Sequence, residues 1–219
     1  SIDATGFAHF IALPDLAVFA NSGFPYTRLA DLSQTAIVMP DTPSAEDYSA
    51  YLNLLGRMGE STGYPATRLT VADAAHVDKL ANYDLLLLGT LANQPLFKRW
   101  AKHIPGLLTD NHRELTLTSL VSNASAWWNG AETSRNEQQV ARVSISGGAW
   151  DVALAAFESP LKDKRSVIAL IGAAPGGLQA MSEAMLDADQ LGKLQGSLAI
   201  LRGKQITSLA AQQSYYVGR

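Results

Sequence analysis

Residues 14–44 read PDLAVFANSGFPYTRLADLSQTAIVMPDTPS. Two short apolar runs, 16–20 and 36–39, flank a polar loop that carries Pro25, and Pro40 stops the second run. Apolar runs of this length between turn residues are expected as buried strands. Ser44 then opens a helix, because a Ser N-cap followed by Asp47 in the first turn suits the free N–H groups and the dipole there. Tyr48, Tyr51, Leu52, Leu55 and Met58 follow at helical spacing and make one apolar stripe. Gly59 and Gly63 are expected to end it.

Outward from that stretch the alternation continues. Residues 68–71 read as a short strand, and Val77 with Leu80 as a short helix. Residues 83–89 are an apolar run of the kind that a central parallel strand shows when both its faces are covered. Leu96, Phe97, Trp100 and Ile104 form a further helical stripe, closed by Pro105 and Gly106. Residues 109–139 look loop-rich. Residues 150–158 alternate like a strand, and 167–172 are a second buried strand before a helix with Leu178, Met181 and Met185 on one face. The tail, 196–217, reads as two or three strands broken at Gly203-Lys204 and Gln212-Gln213. Strands alternating with helices predict an α/β fold, with a mainly parallel sheet, helices on both faces and antiparallel C-terminal edge strands. Residues 1–13 carry no period and are expected to be the tail of a preceding domain, with 14–219 as the α/β domain.

Composition narrows the function. The 219 residues are 47% hydrophobic and 17% charged, enough apolar material for a sizeable core. Seventeen Lys and Arg against twenty Asp and Glu give a net charge of -3, with no basic run. Phosphate neutralisation needs clustered cations, so nucleic acid is not expected as a partner. Cysteine is absent, which excludes disulfides and thiolate metal sites. The apolar runs at 85–88 and 167–172 are far short of the ~20 residues that span a bilayer.

The motifs that suggest chemistry each have a plainer explanation. Gly59-Glu60-Ser61-Thr62-Gly63 matches G-x-S-x-G, but a nucleophile elbow needs a strand before the serine, and here a helix precedes it. The loop 21–28, after the first expected strand, offers Ser22, Thr27 and Arg28 to a flavin or nucleotide phosphate. Pro25 removes one N–H donor from it, and packing of Phe24 and Tyr26 is the structural alternative. Residues 172–177, GAAPGG, lack the spacing of a dinucleotide loop and the Lys-Ser/Thr end of a P-loop. His9, His76, His103 and His112 are dispersed, and only Asp73-x-x-His76-x-Asp78 is dense enough to resemble a ligand set. No metal and no cofactor is expected, and no pair of carboxylates stands out for glycoside hydrolysis. Trp127 and Trp128, before Asn129-Gly130, are the substrate-binding candidates: aromatic faces stack on sugar rings, with burial or a domain interface as the competing assignment. Trp100 and Trp150 are expected in the core, and the sequon at 123–125 is incidental.

LPDLAVFA (13–20), GFPYTR (23–28), ADLSQTAIVMPD (30–41), GRMGESTGYPA (56–66) and YDLLLLGT (83–90) together resemble the last periplasmic α/β domain of the bacterial cellulose synthase B subunit. The resemblance covers the first ninety residues well and the rest loosely. It implies a flavodoxin-like fold and a non-catalytic accessory domain at the periplasmic face of the inner membrane. Such a domain would support the catalytic subunit, guide the nascent glucan and pack against copies of itself. The family also carries a C-terminal membrane anchor and upstream carbohydrate-binding sandwiches, neither expected within this chain, which reads as an excised domain. The tyrosines at 215 and 216 beside Arg219 suit a membrane–water boundary near such an anchor. The family is described as binding cyclic diguanylate, a cytoplasmic nucleotide whose guanines and phosphates call for an Arg-rich pocket that does not stand out here. The rival assignments are a flavin- or nucleotide-using enzyme, a serine hydrolase and a stand-alone glycan-binding module.

Overall fold

A computed structural model describes residues 10–105, 107–108, 115–116, 150–173, 176–209 and 215–218. The expectation of a strand at 16–20 is overturned: α1 is a helix, Leu16–Ser22. The Asp15 side chain accepts from the Ala17 N–H at 2.9 Å, and Gly23 closes the helix at φ 70°, its N–H reaching the Phe19 carbonyl at 2.7 Å. A five-residue apolar run is compatible with either element. The caps decide it, and Leu16, Phe19 and Ala20 then share the buried face.

One sheet of seven strands organises the chain, in the order β10-β9-β7-β8-β4-β2-β3. Its members are β2 (Thr35–Val38), β3 (Thr70–Ala72), β4 (Asp84–Thr90), β7 (Val152–Glu158), β8 (Ser166–Gly172), β9 (Leu198–Arg202) and β10 (Gln205–Leu209). β8, β4, β2 and β3 are mutually parallel. β7 is antiparallel to both its neighbours, and β9 to β10, so the antiparallel part takes in the C-terminal edge strands and extends inward through β7. The cause is local. Residues 159–165 join β7 to β8, and a parallel crossover needs about a dozen residues or more. Gly203-Lys204 makes the β9–β10 hairpin as its sequence suggests. β11 (Tyr215–Gly218) leaves the sheet and pairs antiparallel with β1 (Phe10–Leu13). β5 (Leu107–Leu108) and β6 (Leu115–Thr116) form a separate antiparallel pair.

The central strands are buried along their length, and successive residues enter two cores. Leu86, Leu88, Ile168 and Leu170 join a cluster with Leu16 and Phe19 of α1, Leu54 and Met58 of α2 (Ala45–Thr62) and Leu178 and Met181 of α4 (Gly177–Ala184). Leu85, Leu87, Val167 and Ala169 join Val77 and Leu80 of a 3-10 helix (Ala74–Leu80) and Leu96 and Phe97 of α3 (Pro95–Arg99). Trp100 and Trp150 lie in this second core. α5 (Ala188–Leu191) is a single capped turn.

The stripe on α2 also needs correction. Ala50, Leu54 and Met58 are its buried apolar face, while Tyr48 and Leu52 are 52% and 60% exposed. Two adjacent stripes of this helix are apolar, and small Ala50 lets the sheet approach on one of them. The helix runs through Gly59 and ends at Gly63, whose φ is 63°.

At the amino ends of β4 and β8 a buried charge is held. Asp84 is 1% exposed and accepts from the Ser166 N–H at 2.8 Å, Arg165 Nη1 at 3.1 Å and Arg28 Nη2 at 3.3 Å. Tyr215 reaches the same place, its hydroxyl 2.7 Å from Ser166 Oγ. Tyr215 is therefore turned into the sheet end and not free for a membrane boundary. The Tyr216 side chain lies outside the described residues.

Burial pushes the Asp84 carboxyl above its usual value, against the pull of the Ser166 N–H, Arg165 and Arg28. A raised folded-state value means that this carboxylate subtracts stability as pH rises from the ordinary carboxylate range through the folded value. Arg165→Met should cost about 3 kcal/mol in urea denaturation at pH 7.5, with Arg28 left as the counter-charge. The missing cation raises the Asp84 value further, so the deficit relative to the parent should narrow towards pH 5. An equal deficit at both pH values would mean that Arg165 acts through packing alone.

Candidate functional site

In open α/β sheets ligands sit beyond the carboxyl ends of the parallel strands, against helix N-termini whose N–H groups attract anions. Here that rim is formed by the loops after β2, β3, β4 and β8. The chain fills it with its own side chains.

The α2 N-terminus is closed by a capping box: the Asp47 N–H donates to Ser44 Oγ at 3.2 Å, and the Ser44 N–H donates to Asp47 Oδ2 at 2.8 Å. Glu46, beside it, reaches across to α4. Its Oε2 accepts from the Gly176 N–H at 3.1 Å and its Oε1 from the Leu178 N–H at 2.8 Å. A carboxylate thus occupies the position at which a phosphate would meet this helix. Gln94, 1% exposed, caps α3 and donates from Nε2 to the Val38 and Leu88 carbonyls, tying together the carboxyl ends of β2 and β4. Asn93 accepts from the Thr90 N–H at 2.6 Å and donates to Asp47 Oδ2 at 3.4 Å. Gly177 has a packing reason: a Cβ there would lie 2.2 Å from the Asp151 carbonyl oxygen. Ala174 and Pro175, before α4, lie outside the described residues.

The sequence candidates do not converge. Ser61 lies within α2 and donates to the Arg57 carbonyl at 3.0 Å, with no strand before it. Of the expected loop 21–28, Asn21 and Ser22 end α1 and 26–28 form a 3-10 turn, and its polar groups are engaged: Ser22 with the Val18 carbonyl, Thr27 with the Ser22 carbonyl, Arg28 with Asp84. Phe24 and Tyr26 are buried, and the Tyr26 hydroxyl donates to the Leu85 carbonyl at 3.1 Å. Asp73 caps the 3-10 helix and sits 2.6 Å from His76 Nδ1, a hydrogen bond that lowers its carboxyl from the usual range. Asp78 turns instead to Arg99 Nη2, at 2.6 Å. Among the described residues no three possible ligands gather for a metal ion. His9, His112, the sequon at 123–125 and Trp127 with Trp128 lie outside the described residues.

Among the described residues the rim stays open on one side. A shallow groove of about 280 Å³ is lined by Asp41 after β2, Ala74 and Ala75 after β3, and Pro95, Leu96 and Arg99 of α3. Of the polar residues that shape this end, the Ser44–Asp47 cap is legible in the sequence, whereas Glu46 and Gln94 are not. Glu46 looks like an ordinary first-turn acid, since its partner is 130 residues away. Gln94 before Pro95 carries a capping signal only in hindsight of the helix start. Asp84, at the opposite end of β4, likewise has its partners 56 and 81 residues away along the chain.

Glu46→Ala should lower stability by about 1–2 kcal/mol through the loss of charge-assisted bonds to two N–H groups. It should also convert the α4 terminus into a vacant anion site. Thermal denaturation with and without millimolar phosphate checks this: the variant should gain stability from phosphate and the parent should not. Equal responses would show that the Glu46 carboxylate does not stand in an anion's place.

The family described as "Cellulose synthase BcsB, second FD domain" matches residues 9–170. The whole chain is 41% identical to a segment of the "Cyclic di-GMP-binding protein" of Pseudomonas fluorescens (strain SBW25), of which it covers 29%. It is 41% identical to that of Xanthomonas axonopodis pv. citri (strain 306) and 31% identical to that of Komagataeibacter xylinus, covering 28% and 27% of them. The chain thus spans little more than a quarter of the length of these curated relatives. By its match over the strands β1 to β8 and its identity across all 219 residues, the chain belongs to the cellulose synthase BcsB family, in the region of the second FD domain.

Proposed function

We propose that this chain is a non-catalytic accessory domain of the bacterial cellulose synthase complex, working at the periplasmic face of the inner membrane. It supports the catalytic subunit and helps guide the nascent glucan, with copies of itself and a membrane anchor outside this chain as further partners. Family membership supports the cellulose setting. The observation that carries the accessory role is Glu46: the helix terminus where a doubly wound enzyme would take a phosphate is filled by the protein's own carboxylate. A flavodoxin-like architecture with helices on both faces is our reading of the fold, supported by the two apolar clusters that the central strands feed. We take residues 14–219 as the domain and 1–13 as the end of the one before it. Trp127 and Trp128 are kept as glucan-stacking candidates.

The relatives' name refers to cyclic diguanylate. The two arginines that do converge among the described residues, Arg28 and Arg165, close on Asp84, which satisfies their charge internally. We assign that ligand to parts of the longer relatives outside this region. No described helix is long and apolar enough to cross a membrane.

The test is complementation of a cellulose-deficient strain with the full-length subunit. Deletion of residues 14–219 should abolish cellulose output while the catalytic subunit remains present. Ser61→Ala should leave output at the parental level, because its hydroxyl only bonds its own helix. Normal output from the deletion would overturn the accessory role; lost output from a stably expressed Ser61→Ala subunit would revive the hydrolase.

A further inference from the structure

We infer that the groove beside α3 is a subsite for one or two glucosyl units of a β-1,4-glucan; this rests on the glucan-guiding role proposed above. The groove lies at the carboxyl ends of three parallel strands, the general ligand position of such sheets, and is the part of that rim the described residues leave open. At about 280 Å³ it is just below the range of drug-sized pockets, a size that suits one or two sugar rings.

Its lining selects for an uncharged polyol. The floor is apolar and small: Ala74, Ala75, Pro95 and the buried Leu96, a surface on which the C–H face of a pyranose ring can rest. Two opposite charges stand on this lining. Asp41 is exposed, and its backbone N–H is fixed to the Asn93 carbonyl at 3.3 Å. Arg99 has a half-exposed side chain and binds Asp78 through Nη2, which leaves its other N–H groups without a partner among the described residues. Asp41 and Asp78 against Arg99 leave this surface on the negative side, so it does not attract an anion. A sugar hydroxyl can donate to Asp41 and accept from Arg99, both bonds charge-assisted. The Asp78 pair holds Arg99 in place and compensates part of its charge, which disfavours a phosphate there.

The experiment is amide NMR of the 219-residue chain titrated with cellotetraose to about 20 mM, with a blocked tetraalanine peptide as the alternative probe. The expected result is saturable shifts at Ala74, Ala75 and Arg99, weakened at least tenfold in Asp41→Ala and in Arg99→Gln. Both replaced groups are exposed, so the variants should keep the parental fold and spectrum elsewhere. Cellotetraose shifts that fall elsewhere and survive both substitutions would overturn the groove and leave glucan contact standing. Shifts with the peptide and none with the sugar would reassign the groove to a polypeptide. No shift with either would remove both the groove and direct glucan contact by this domain, while the accessory role stands or falls on complementation.

Discussion

β4 and β8 leave neither face to water, and the rest of the structure follows from covering them. Each alternates its side chains between two apolar clusters, so each needs packing partners in both. α1, α2 and α4 supply one cluster, and the 3-10 helix with α3 supplies the other. A strand with one wet face would have tolerated half of this chain. These two strands require nearly all of the described elements at once.

That burial makes the ends of the strands the places where polar groups must be reconciled. At the amino end Asp84 cannot reach water, so Arg28, Arg165 and the Ser166 N–H surround it. The Tyr215 hydroxyl at Ser166 binds the β1–β11 ribbon to the same point. At the carboxyl end the needs are opposite in kind, because helix N-termini present unpaired N–H donors. Glu46, Asp47, Ser44 and Gln94 answer them from within the chain.

The two ends therefore differ in what they leave for function. The amino end is closed by ion pairs and a tyrosine. Among the described residues the carboxyl end is closed over β8 but stays open beside α3, where Asp41 and Arg99 line a groove. An α/β sheet that supplies its own carboxylate to a helix terminus has given up the commonest phosphate site of its architecture. Residues elsewhere on the rim are then free to recognise something uncharged, which is in keeping with a polymer of neutral sugars.

Much of the scaffold was legible in the sequence because its signals are local. The runs at 36–39, 83–89 and 167–172 are strands, since an apolar run between turn residues has few other places to go. Ser44 with Asp47, and Gly203-Lys204, act within three or four residues of themselves, and both do what their spacing suggests. Where a pattern admitted two outcomes, tertiary structure chose. The run at 16–20 became a helix through the caps at Asp15 and Gly23, and α2 buried the stripe of Ala50 and Leu54 instead of Tyr48 and Leu52. The candidate site was the least legible. Asp84 meets Arg28 and Arg165 across 56 and 81 residues, and Glu46 meets Leu178 across 132. Periodicity and caps record which residues avoid water and how a segment begins and ends. They carry no record of which distant charge or N–H a side chain will face once the sheet has closed, and at this protein's functional rim that pairing decides everything.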